Sequence, residues 1–161
     1  MPATKPATAI AATASLKVRD GERSWVSRGA HKLMGALDAF GIEVADRRCL
    51  DAGASTGGFT EVLLDRGARQ VVAVDVGYGQ LAWPIRTNER VVVMERTNVR
   101  TLTPDVIGGT VDLTVADLSF ISLRLVLPAL AACTDGDLAL MVKPQFEVGK
   151  ERVGTGGVVR D

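Results

Sequence analysis

Five short apolar runs, separated by stretches of helical character, constrain this chain more than any other feature. They lie near 48–52, 71–75, 91–94, 111–116 and 138–142. The runs are rich in Val and Leu and mostly continuous, as expected of parallel strands buried on both faces. Helix-like segments fall at 57–67, 79–86 and 120–133, with a shorter turn of helix near 104–107. Ahead of the first run, Leu33, Leu37 and Phe40 recur at helical spacing across 29–41, and Gly41 is a natural stop. Strand–helix alternation with right-handed crossovers predicts an α/β fold built on a doubly wound, mostly parallel sheet. Residues 1–24, rich in Ala and Thr, stand apart from this pattern, with room for a short strand over Ala14 to Val18. The last stretch, 144–161, reads as loop, with Pro144 barring helix where it stands. A fifth strand followed only by loop leaves apolar surface uncovered, so the reading is of a domain cut short at this end.

Bulk properties exclude several classes. The chain has 161 residues, 47% of them apolar, which suits one domain with a core and not a disordered segment. Nineteen basic and nineteen acidic residues balance, so any contact with nucleic acid must be local. No apolar run approaches bilayer-spanning length, and no secretory leader is legible. With Cys49 and Cys133 both expected in the core, the reading is cytoplasmic.

The chemistry concentrates where strands end. Leu50-Asp51-Ala52-Gly53-Ala54-Ser55-Thr56-Gly57-Gly58-Phe59-Thr60 reads as strand, small-residue turn and helix start. Glycines there let a backbone approach a nucleotide-like cofactor, although the same turn serves as a tight connection in any α/β protein. The segment has neither a strict dinucleotide fingerprint nor a P-loop. Asp51 is costly in a strand unless it orders the turn or meets a cation. S-adenosylmethionine, with an ammonium and a sulfonium, suits such a turn better than a pyrophosphate. Asp75 ends the next run 24 positions on, about the spacing at which a carboxylate reaches a ribose.

Two further strand ends carry charge. Asp117 closes the fourth run, at the edge where open α/β sheets bind ligands; the competing reading is a helix N-cap by Asp117 or Ser119. Lys143 closes the fifth, and an inward lysine there needs an anion, for which Asp117 is the natural partner. Arg28, His31 and Lys32 gather at the start of the first helix, where cations oppose the helix dipole. A phosphate backbone would explain them, as would simple solvation. No metal site and no Ser-His-Asp arrangement is apparent.

Taken in order, five segments resemble the TlyA family of FtsJ-like ribosomal RNA methyltransferases, historically labelled haemolysins. They are Ser27–Leu33, Leu50–Thr60, Asp75–Leu81, Ala116–Ser122 and Val142–Glu147. The resemblance implies a Rossmann-like S-adenosylmethionine-dependent methyltransferase fold over 25–161, lacking its C-terminal strands. It implies 2′-O-methylation of cytidine ribose in small- and large-subunit ribosomal RNA, with ribosomal RNA or ribosomal subunits as partners. Gly53, Ser55, Gly57, Gly58 and Phe59 would line the cofactor, Asp75 would hold its ribose, and Asn98 would reach its adenine. Related enzymes use a Lys-Asp-Lys-Glu tetrad. Lys32, Asp117 and Lys143 match its first three members, and the fourth has no counterpart, since Glu147 belongs to the last segment. Residues 1–24 would be the remnant of an N-terminal RNA-binding domain and its linker. Two rival readings remain at this point: a cofactor-binding fragment with impaired catalysis, and a membrane-active haemolysin, which the lack of a basic amphipathic helix disfavours.

Overall fold

In the computed structural model, residues 24–159 are described, together with Thr13. The strand expected over Ala14 to Val18 lies outside the described residues. The Val- and Leu-rich runs form β1 (Arg48–Ala52), β2 (Gln70–Val74), β3 (Val91–Met94), β4 (Val111–Ala116) and β5 (Thr134–Leu140). All pair in parallel, in the order β3-β2-β1-β4-β5. The crossovers carry α1 (Gly29–Phe40) ahead of the sheet, α2 (Gly58–Asp65), α3 (Trp83–Arg86), α4 (Pro104–Ile107) and α5 (Leu123–Ala132), with α6 (Pro144–Glu147) after it.

Each buried strand points alternate side chains into two separate cores, because successive Cβ atoms leave opposite faces of a sheet. On one face Cys49, Val71, Leu113 and Val115 meet Leu33 and Leu37 of α1 and Val62 and Leu63 of α2. On the other, Leu50, Val72 and Val74 meet Val126 and Leu130 of α5. Fully burying a Leu or Val side chain contributes roughly 1.5–3 kcal/mol, so α1 and α5 are held mainly by these stripes. Burial and the nearby Asp112 carboxylate push the Cys49 thiol up to about 12, which makes it an inert core residue.

Three expectations are corrected. β5 begins four residues earlier than its apolar run and stops before Lys143. It is an exposed edge strand, so Thr134, Asp135, Gly136 and Asp137 carry none of the apolar signal of a buried strand. Gly136 fits because a Cβ there would collide with the Asp112 carbonyl. The helix start after β4 is capped by neither Asp117 nor Ser119. Ser122 caps α5, its hydroxyl accepting from Arg124 N at 3.2 Å. Pro144 does not bar helix: it opens α6 at a position where the missing N–H costs nothing.

Candidate active site

The turn after β1 is stitched to the sheet before it reaches any ligand. Gly53 N and Ala54 N both donate to Val74 O, at 2.8 and 3.1 Å, which fixes the turn over the end of β2. The path then requires left-handed backbone at Gly53 (φ 86°) and Gly57 (φ 98°), and also at Ser55 (φ 49°). A Cβ on Gly53 would stand 2.9 Å from Leu118 Cδ2 and 3.1 Å from Asp117 O. Gly53→Ala is therefore expected to push the Asp117 loop outward and to cost about 1–3 kcal/mol of stability. Thermal unfolding checks this, and an unchanged melting temperature would contradict it.

Over this turn lies an open cleft of about 600 Å³. Gly53, Ser55, Gly58 and Phe59 line one wall; Arg28 and Lys32 of the α1 start, and Asp117 and Lys143, line the rest. The three strand and helix ends thus meet in one place. Lys143 Nζ stands 2.5 Å from Asp117 Oδ1 and donates to Ser119 Oγ at 2.8 Å. The approach to Asp117 is ionic and off the hydrogen-bond line: Oδ1 is sealed from solvent and accepts no directed hydrogen bond among the described residues. Lys32 Nζ lies 3.8 Å from the other oxygen, Asp117 Oδ2. The two lysines differ in solvation, the Lys32 side chain being 53% exposed and that of Lys143 18%. A partly dried lysine beside a carboxylate can take up a substrate proton once it has released its own; a wet ammonium at the rim can attract an anion.

The remaining sequence-derived residues fall elsewhere. Asp51 does not line the cleft: it is wholly buried beneath the turn, accepting from Thr60 Oγ1 at 2.7 Å, while its Oδ1 has no partner among the described residues. Burial pushes its carboxyl up to about 7; the Thr60 bonds pull it down, and the Asp117 and Asp75 charges add to the rise. Gly57 backs onto Leu81 and Ile85 and not onto the cleft. Asp75 lies beside a neighbouring, much narrower crevice, accepting from Ser55 N and Gly77 N, both at 2.8 Å. Asn98 is exposed, and its Oδ1 accepts from Arg100 N to cap a short 3₁₀ turn, Val99–Thr101, away from both openings. His31 is exposed on α1 outside the cleft lining. Among the described residues, no group of three or more His, Cys, Asp or Glu side chains could hold a metal ion, and no helix is long and apolar enough to cross a membrane.

Two residues were missed. Ser119 lines the cleft and holds Lys143; its place in Asp117-Leu118-Ser119 was the available signal. Phe120 is 92% exposed and sits in left-handed backbone (φ 64°), its ring centroid 5.3 Å from that of Phe146. Left-handed backbone of this kind recurs at functional sites, and nothing in one sequence reveals a φ angle.

A parallel sheet with a glycine turn over its C-terminal edge and a Lys–Asp–Lys cluster facing it defines a methyltransferase-type site. The FtsJ-like methyltransferase model matches residues 25–161, and the chain belongs to that family. It is 71% identical, over its whole length, to the 16S/23S rRNA (cytidine-2′-O)-methyltransferase TlyA of Mycobacterium tuberculosis, of which it spans 61%. It is 39% identical over 94% of its length to the 23S rRNA (cytidine-2′-O)-methyltransferase TlyA of Campylobacter jejuni, covering 59% of that protein. The solved structure of a candidate hemolysin from Lactococcus lactis superposes with a TM-score of 0.81 at 50% identity, over 85% of this chain and 67% of that one. The chain thus spans about three-fifths of the curated relatives it matches.

Proposed function

We propose that this chain performs S-adenosylmethionine-dependent 2′-O-methylation of cytidine ribose in ribosomal RNA, in the cytoplasm, with residues 25–161 as its methyltransferase domain. The observation that carries the reading is the convergence of Lys32, Asp117 and Lys143 over a glycine-lined cleft. The residues present fit the cofactor: the cleft floor is backbone and small side chains, and beneath it Asp51 keeps an unpartnered carboxylate oxygen suited to a nearby cation. Gly53, Ser55, Gly58 and Phe59 would hold it, with Asp75 toward its ribose once Ser55 N releases that carboxylate. When bound, the cofactor supplies a methyl group on a sulfonium, which leaves as a neutral thioether.

The chain's own residues prepare the acceptor. A ribose hydroxyl is a poor nucleophile at neutral pH, so Lys143 Nζ, having first released its own ammonium proton to solvent, takes up the hydroxyl proton as the new bond forms. Asp117 stabilises the ammonium so produced, and Ser119 keeps Nζ aimed into the cleft. Lys32 and Arg28, on the wet side, hold the phosphates that flank the ribose. Phe120 offers a flat face on which the base of the modified nucleotide stacks. Much of the rate comes from holding hydroxyl and methyl in line.

A second reading, cofactor binding with weak transfer, is favoured by one observation: Asp117 is the one carboxylate of this cleft lining, and no glutamate joins it among the described residues. Titration calorimetry with S-adenosylmethionine, followed by a methyl-transfer assay on ribosomal subunits, separates the two. Binding with turnover supports the transfer reading, binding without turnover supports the second, and no binding overturns both.

A further inference from the structure

The loop from Asp117 to Leu123 and the turn from Lys143 to Glu147 are matched almost residue for residue. Lys143 meets Asp117 and Ser119, the Phe146 ring packs at 50° against that of Phe120, and the Glu147 carboxylate reaches Ser122 and Leu123. Both oxygens of Glu147 are used: Oε2 accepts from Ser122 Oγ at 2.6 Å and Oε1 from Leu123 N at 2.8 Å. One carboxylate thereby ties the end of α6 to the start of α5. These are the far ends of the two segments whose near ends carry Lys143 and Asp117.

We propose that Glu147 is a positioning residue: by locking α6 to the start of α5, it fixes the register in which Lys143 meets Asp117 and Ser119. The assignment rests on the proposed transfer reaction and extends it to a residue outside the cleft. Among the described residues the other ties of Lys143 are its ion pair with Asp117 at 2.5 Å and its bond to Ser119, both at the tip of a flexible side chain, whereas Glu147 anchors the turn that carries it. It also persists in mildly acid solution, since the bonds from Ser122 and the Leu123 amide hold the Glu147 carboxyl below its usual range. With the lock gone, Pro144–Glu147 keeps only its single helical turn and the exposed Phe146–Phe120 contact to hold its place, and Lys143 leaves the line of attack.

The experiment labels lysine amines with a water-soluble N-hydroxysuccinimide ester and reads each site by peptide mass spectrometry. It compares the wild-type chain with Glu147→Ala and Glu147→Gln. Glu147→Ala is expected to raise Lys143 labelling several-fold and leave Lys32 unchanged. Glu147→Gln, whose amide oxygen accepts from Leu123 N while its NH₂ donates to Ser122 Oγ, restores the wild-type pattern. In single-turnover methyl transfer, Glu147→Ala lowers the rate about tenfold with cofactor affinity retained, as a small misplacement of a reacting group predicts. Equal Lys143 labelling in the wild type and Glu147→Ala, or a rise shared by Lys32, overturns the proposal. A wild-type chain that transfers no methyl counts against the transfer reading, while the labelling still decides the role of Glu147.

Discussion

Replacing Lys143 with alanine is expected to lower methyl transfer by about 10²–10⁴-fold, the range that a positioned general acid or base contributes. Cofactor affinity should stay within about twofold, because the cofactor is assigned to Gly53, Ser55, Gly58 and Phe59 and not to Lys143. The fold should survive, since Asp117 keeps some solvent contact and Lys32 remains 3.8 Å from its other oxygen. Lys143→Arg sharpens the result. Arginine preserves the charge opposite Asp117 but cannot accept a proton at working pH. If proton acceptance is the role, the arginine variant fails as fully as the alanine one; if charge alone is the role, it retains substantial activity. Single-turnover transfer, measured beside calorimetric cofactor binding, reads all of this. Undiminished transfer by Lys143→Ala would end the catalytic assignment.

The second large effect concerns Asp51 and runs through stability. Its carboxyl titrates at about 7 in the fold against an ordinary 3.8, chiefly because it is buried. Between those values the folded chain holds a proton that the unfolded chain has lost. Stability from this group is therefore greatest in acid and falls as pH rises from about 4 to about 7, by on the order of 4 kcal/mol. The substitution Asp51→Asn mimics the protonated carboxyl and should erase that slope. Near pH 4 the two chains should melt together, and near pH 8 the variant should melt higher, by on the order of 10 °C. The variant should also bind a cationic ligand more weakly, since the charge that opposes folding is the one available to a cation. Parallel melting curves across this range would show that Asp51 is ionised in the fold after all.

The sequence was most legible where strands are buried on both faces. The apolar runs predicted β1, β3 and β4 to the residue and β2 to within one: β1, β2 and β4 are central and buried, while β3, an edge strand, is Val-rich all the same. The same rule failed at β5, where half of an edge strand is Thr, Asp and Gly, and so Lys143 was put on the strand when it follows it. The Asp117–Lys143 pairing was still legible, since strand order and charge sufficed. Details set by backbone torsion and hydrogen bonding were not. Asn98 spends its oxygen on a cap, Asp51 is sealed beneath the turn instead of lining the cleft, and Phe120 is held out by a positive φ. Glu147 shows the limit most plainly: its motif was visible, but its partners 24 and 25 residues away emerge only when α5 and α6 meet.

Methyl transfer to a ribose hydroxyl, directed by the Lys143–Asp117 pair, is the step on which the proposed function stands or falls. The most direct test incubates the chain with ribosomal subunits and isotopically labelled S-adenosylmethionine, digests the RNA to nucleosides, and locates the label by mass spectrometry. Label is expected on the ribose of cytidine and is lost in Lys143→Ala. Label on a base, or ribose label that survives the substitution, would contradict it.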